Sequence, residues 1–98
     1  MSHYIATISL PLNPDEEFFS LIPQQKAQVE GLMNVGVITS YSLSIDRTQL
    51  WVTIVAESER KVHQIIDKFP LREFMDVRVS ELMFHNTLSF SAPQMFLN

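Results

Sequence analysis

The segment from Val62 to Leu88 constrains the fold more than any other part of this chain. It opens with apolar residues at i, i+3, i+4 and i+7, the spacing of an amphipathic helix, at Val62, Ile65, Ile66 and Phe69. Pro70 ends this helix, because proline has no amide hydrogen and disfavours helical geometry in the residue before it. After a short connector, the run from Asp76 to Phe84 alternates between two sides, one of them formed by Val77, Val79 and Met83. The segment is therefore predicted to form a helix followed by a strand.

The residues ahead of this segment complete the order β-α-β-β-α-β. They are predicted to form a strand, a main helix and a hairpin of two strands, over His3–Leu10, Pro23–Asn34, and Val37–Ile45 with Leu50–Glu57. Asn13 and Pro14 are typical of a helix start, and Pro23 predicts a break over residues 20–22, before the main helix. The main helix is expected to bury Val29, Leu32 and Met33. This order predicts an α+β fold of the ferredoxin-like βαββαβ type.

The two strands of the hairpin differ in their pattern. The first is expected to place Tyr41 on an apolar face and Ile38 on a half-solvated face with the serines. The second is apolar on both sides, with Val52 and Ile54 on one and Trp51 and Val55 on the other. A strand that is apolar on both sides is covered on both sides. Because helices cover only one face of such a sheet, a second subunit is expected on the other, which favours a dimeric α+β barrel over a monomer.

Length and composition limit the remaining possibilities. The 98 residues suit one domain over 1–98, and with 46% hydrophobic residues they can fill a core and leave apolar surface for a partner. The apolar tail over 85–98 is expected to dock on a neighbouring subunit. A net charge of −4 with scattered cations argues against a nucleic-acid partner, and no apolar run approaches the ~20 residues of a membrane span. We therefore expect a soluble, cytoplasmic homo-oligomer that does not bind membranes.

No motif in the sequence predicts a cofactor or a metal. The chain has no cysteine, so thiolate ligands and thiol nucleophiles are excluded. His3, His63 and His85 lie far apart without the spacing of a metal-ligand motif. Phosphate-binding glycine loops and nucleophile-elbow motifs are also missing. We expect neither a cofactor nor a metal site.

A set of residues in the closing segment carries a family resemblance. They are His63, then Phe69-Pro70-Leu71, then Phe74-Met75-Asp76-Val77, and finally Leu82 and His85. Together they resemble the end of the muconolactone isomerase family, where a helix with a histidine leads into a Leu-Pro-Leu turn, a Tyr-Met-Asp strand start and a Leu-x-x-His finish. The resemblance extends more weakly over almost the whole chain. It implies the dimeric α+β barrel fold, rings of dimers, and proton-transfer isomerisation of a small unsaturated lactone or carboxylate.

The resemblance also suggests site residues. Such an isomerase needs a base that removes a proton next to a carbonyl and a donor that holds the oxyanion. Where family isomerases carry Arg-Glu-Lys in the main helix, this chain has Gln24-Gln25-Lys26, and glutamine cannot take the proton. The candidate catalytic residues are therefore His85 and Lys26. The candidate substrate-binding residues are Gln25, Tyr41, Arg47 and Trp51, with Tyr41 open to a packing role and Trp51 to a role at the subunit interface.

Two hypotheses follow from these residues. The first is an intramolecular isomerase, which would need a closed pocket between helix and sheet that holds His85 with Lys26 or Arg47. The second is a non-catalytic oligomeric or small-ligand-binding protein that kept the fold and lost the base. Phenylalanine and methionine side chains filling the space between helix and sheet would favour the second.

Overall fold

A computed structural model describes residues 1–86 of the chain. These residues form four strands and two helices, which are β1 (Ser2–Ser9), α1 (Glu16–Asn34), β2 (Ile38–Leu43), β3 (Gln49–Ala56), α2 (Glu59–Asp67) and β4 (Asp76–Glu81). A short 3₁₀ helix, Arg72–Phe74, lies between α2 and β4. The predicted α+β fold with βαββαβ order is confirmed. The tail whose docking was predicted falls almost entirely outside the described residues.

The four strands form one antiparallel sheet in the order β2-β3-β1-β4. One side, here called the covered face, packs against the helices and carries the buried apolar strand residues, Tyr4, Ala6, Ile8, Ile38, Leu50, Val52, Ile54 and Ala56. The other side, here called the open face, carries the alternate residues His3, Ile5, Thr7, Trp51, Thr53 and Val55. The core therefore lies between the helices and the covered face.

The second helix follows the sequence prediction closely. Val62 and Ile66 are fully buried and Phe69 nearly so, because they form one side of the amphipathic pattern. Ser58 begins the helix, since its hydroxyl accepts a hydrogen bond from the amide of Lys61 at 3.2 Å. The helix ends at Asp67, shortly before Pro70. This helix is the best-predicted element of the chain.

The first helix differs from the prediction. It is one continuous helix that contains Pro23, so the predicted break over residues 20–22 is wrong. Pro23 is exposed, whereas Phe18 and Val29 on either side of it are buried. Packing at both ends thus offsets the ~3 kcal/mol that an internal proline costs a helix. The cap is Asp15 rather than Asn13, with its carboxylate accepting from the amide of Phe18 at 3.0 Å.

Three side chains lie elsewhere than predicted. Ile38 lies on the covered face and is buried, because the register shifts between residues 38 and 40 and adds a residue to β2 at this point. Met33 is 42% exposed, since it lies beside the buried side of α1 rather than on it. Met83 is 96% exposed because β4 already ends at Glu81. Within residues 1–86, neither helix has the length and hydrophobicity that crossing a membrane would require.

Candidate functional site

Gln25 is the most deeply buried polar side chain of α1, at 4% exposure. Its Oε1 accepts a hydrogen bond from the backbone amide of Leu71 at 3.2 Å, and its Nε2 lies 3.4 Å from the hydroxyl of Tyr41. The amide of Leu71 can only donate, so the oxygen of the carboxamide has to face it. Nε2 therefore faces Tyr41 and donates to the tyrosine oxygen. Gln25 thereby links α1 to β2 and to the connector after α2.

Tyr41 is half-buried on the covered face, opposite Val52. Burial raises the pKa of its hydroxyl above the ordinary value of 10.0, and the hydrogen bond from Gln25 partly opposes that rise. The phenol is therefore neutral at physiological pH. Because its oxygen accepts from Gln25, its own hydrogen is free of that bond and can be donated to another group.

Lys26 and Arg47 do not join this pair. Lys26 follows Gln25 on the helix, but its side chain is exposed to solvent. Arg47 is exposed in the turn between β2 and β3, with a left-handed φ of 66°, which a residue with a Cβ seldom adopts. The structure places both cations at the surface, away from the buried contact of Gln25.

The turn around Arg47 is organised by the side chain of Asp46. Its Oδ1 accepts from the hydroxyls of Ser44 and Thr48, both at 2.7 Å, and from the amide of Thr48 at 3.0 Å. These hydrogen bonds, chiefly that from Ser44, hold the pKa of the Asp46 carboxyl below its usual value. The network fixes the backbone of the turn and leaves the guanidinium of Arg47 in solvent.

Trp51 lies on the open face and is 37% exposed. Thr7 on β1 is its direct cross-strand partner, and Arg78 on β4 is the partner of Thr7 on the other side. A small hydroxyl residue therefore lies between Trp51 and Arg78, whose Cα atoms are about two strand spacings or ~10 Å apart. Sequence analysis did not select Thr7 or Arg78, because the row that they form exists only once the strand order is known.

His85 is also found beside the open face. Its ring stacks on that of His3 with the centroids 5.0 Å apart and the planes at 28°. Leu82 anchors the segment before His85, since its amide donates to the carbonyl of His3 at 2.8 Å. Two of the three histidines thus meet, while His63 contacts Glu59 at 3.3 Å on the exposed side of α2.

The sheet separates His85 from Gln25 and Tyr41, which lie on its covered side. The space between helices and sheet is filled by side chains that include Phe18, Phe69 and Met75. Neither of the two cavities found at the helices is lined by His85, Lys26 or Arg47. Within residues 1–86, no cluster of three or more His, Asp or Glu side chains is placed to hold a metal ion. The predicted site residues therefore form separate groups within one subunit.

Comparison with known proteins identifies a similar family and a similar fold. The model of the family described as muconolactone delta-isomerase matches residues 3–87. A solved structure, the crystal structure of muconolactone isomerase at 3.3 Å resolution, superposes with a TM-score of 0.70 at 18% sequence identity. That match covers 92% of this chain and 97% of the other. No curated protein sequence matches the chain.

Proposed function

Because the chain belongs to the muconolactone delta-isomerase family, we propose that it is an oligomeric family member that binds a small carboxylate or lactone without isomerising it. The observation that carries this proposal is the environment of Gln25. A carboxamide cannot act as a general base, and this one is held by Leu71 and Tyr41 at both ends. Its position is the one at which the resemblance predicts the glutamate of family isomerases.

The surroundings of Gln25, an exposed Lys26 and a tightly packed space between helices and sheet, support the same proposal. Lys26 lies in solvent, so it does not supply a base beside the hydroxyl of Tyr41. Phenylalanine and methionine side chains fill the space in which an enclosed reaction pocket would lie. What this region retains is a donor, the Tyr41 hydroxyl, which suits binding to a carbonyl or carboxylate oxygen.

The test is a spectrophotometric assay of the purified chain with muconolactone. We expect no turnover above the uncatalysed rate, whereas Gln25→Glu should raise the rate by up to ~10² because a positioned base contributes ~10² to 10⁴. A carboxylate at 25 can accept hydrogen bonds from both Leu71 and Tyr41, so the change fits the existing geometry. Gln28→Glu, the same change one turn further along α1, is the matched control and should leave the rate at background. Rapid isomerisation by the unaltered chain would overturn the proposal.

One observation favours a second candidate, an isomerase with His85 as its base. The ring stack of His85 on His3 places two imidazoles at the open face, the face that also carries Trp51 and Arg78. If this candidate is right, the unaltered chain turns over muconolactone, and His85→Gln abolishes that turnover. His63→Gln, an equivalent change on the exposed side of α2, then leaves the rate intact.

The oligomeric part of the proposal rests on the open face. Ile5 and Val55 are only half-buried there and Trp51 is 37% exposed, although all three belong to central strands of the sheet. A second copy would cover them and produce the dimeric α+β barrel. Sedimentation at micromolar concentration should show a species larger than 11.3 kDa. Val55→Glu should shift it toward the monomer, and Gln24→Glu on the exposed side of α1 should not.

A further inference from the structure

A groove runs between the two helices on the side away from the sheet. It has a volume of about 130 Å³ and is lined by Gln28, Leu32, Lys61, Gln64, Ile65 and Lys68. A neighbouring depression of about 340 Å³ shares Lys61 and Gln64 with it. We call the first of these the inter-helix groove. None of its lining residues belongs to the groups around Gln25 or His85.

The groove is positively charged on a chain whose net charge is −4. Lys61, Gln64, Ile65 and Lys68 recur at i, i+3, i+4 and i+7, so they form one side of α2, and no carboxylate lines the groove. The two acidic residues of α2 point to other partners, with Glu59 at 3.3 Å from His63 and Asp67 at 3.0 Å from Arg72. Within residues 1–86, Lys61 and Lys68 form no ion pair. Two ammonium groups are thus available to an anion.

The floor of the groove is apolar and one end of it is fixed. Leu32 and Ile65 are half-buried and pack on the core, so they present carbon surface beneath the lysines. The side-chain amide of Gln28 donates to the carbonyl of Lys68 at 3.0 Å, which joins α1 to the end of α2. A ligand with an apolar body and a single anionic group matches this combination.

We propose that the inter-helix groove binds a compact organic monocarboxylate, with a ring-sized apolar body on Leu32 and Ile65 and its carboxylate between Lys61 and Lys68. The size agrees, since a protein cavity of roughly 150 Å³ accommodates benzene. The groove does not touch Gln25, Tyr41 or His85, so this binding is independent of the proposed function.

The test uses benzoate as the probe in a titration of the full chain followed by amide chemical shifts. We expect shifts at Gln28, Leu32 and residues 61–68, with a Kd of about 1 mM, and a weaker affinity in 0.5 M NaCl. Lys61→Gln and Lys68→Gln should each weaken binding about 2- to 5-fold, as exposed ion pairs do. The uncharged probe benzamide should bind more weakly than benzoate.

The matched control is Arg60→Gln, which removes the same charge from an exposed position of α2 that does not line the groove. It should leave the affinity for benzoate unchanged. If Arg60→Gln weakens binding as much as the two groove variants do, benzoate responds to the charge of α2 as a whole, and the groove proposal is wrong. Shifts that are absent from the groove residues, or an affinity that neither groove lysine affects, would overturn it as well.

Discussion

The two faces of the sheet differ in how fully a single subunit buries their side chains. On the covered face, Ala6, Val52 and Ile54 have no exposed surface, because both helices pack over them. On the open face, Ile5 and Val55 alternate with these residues along the same strands and remain half-buried. One face therefore provides stability within the chain, and the other leaves apolar surface for the association proposed above.

The polar groups differ between the faces in the same way. Gln25 is the buried polar side chain on the covered side, and both ends of its carboxamide are hydrogen-bonded within the chain. On the open side, Arg78 is exposed and the stacked rings of His3 and His85 are partly so. Chemistry that needs accessible groups is thus easier to place on the open side, which is why His85 is the base in the alternative function.

The largest expected effect is a difference in unfolding free energy between substitutions on the covered face and on the open face. Ile66→Ala on α2 should lower the free energy of unfolding by about 2–5 kcal/mol, because a fully buried side chain leaves a cavity over the covered face. Ile5→Ala, the same change at a half-buried position of the open face, should cost less than half as much in the dissociated subunit. Urea unfolding at low protein concentration measures both. Equal losses would contradict the division between the faces.

The sequence predicted α2 better than it predicted β2 and α1, for a physical reason. Burial against helices follows from periodicity along one segment, so the apolar pattern at Val62 and Ile66 was enough to define α2. Periodicity within β2 could not predict the position of Ile38, because the extra residue is visible only in the pairing with β3. The continuity of α1 through Pro23 was missed likewise, since packing elsewhere offsets the local cost.

The sequence predicted which residues are candidates for a site, but not which of them lie together in the fold. The contact of Gln25 with Leu71 joins residues 46 positions apart, and no local pattern predicts it. The stack of His3 on His85 requires β4 to lie beside β1, which the strand order supplies. Of the six candidate site residues, only Gln25 and Tyr41 are hydrogen-bonded to each other in the described residues.

The second prediction tests the buried polar link on the covered side. Gln25→Leu should lower the free energy of unfolding by about 1–3 kcal/mol, because it leaves the amide of Leu71 buried without an acceptor. Gln28→Leu is the control, since its hydrogen bond to the carbonyl of Lys68 is exposed and should matter by less than about 1 kcal/mol. Thermal and urea melts of both variants measure the difference. A neutral Gln25→Leu would mean that water satisfies Leu71 and that the position is open to solvent.

The third prediction concerns the hairpin turn, which belongs to neither face. Arg47→Gly should raise the free energy of unfolding by about 0.5–1 kcal/mol, because glycine adopts a φ of 66° without the Cβ clash. Arg60→Gly in the first turn of α2 should instead lower it by up to about 1 kcal/mol. Denaturant midpoints distinguish these signs. A loss of stability on Arg47→Gly would show that the arginine side chain forms a contact worth more than the strain.

The smallest effect is a pH dependence of stability, which tests whether the Tyr41 hydroxyl is buried on the covered face. Burial raises the pKa of this hydroxyl, so the folded state favours the neutral phenol. This stabilisation is complete below about pH 10, the ordinary pKa, and is lost as the pH rises through the pKa of the folded state. Tyr41→Phe cannot titrate, although it leaves Nε2 of Gln25 without its acceptor. The unaltered chain should therefore be the more stable of the two at pH 7, and its advantage should shrink or reverse by pH 11. Other groups titrate in both proteins and cancel in the difference. Urea unfolding of both proteins between pH 7 and 11 measures the effect, and a difference that stays constant would mean that the Tyr41 hydroxyl is as hydrated in the folded chain as in the unfolded one.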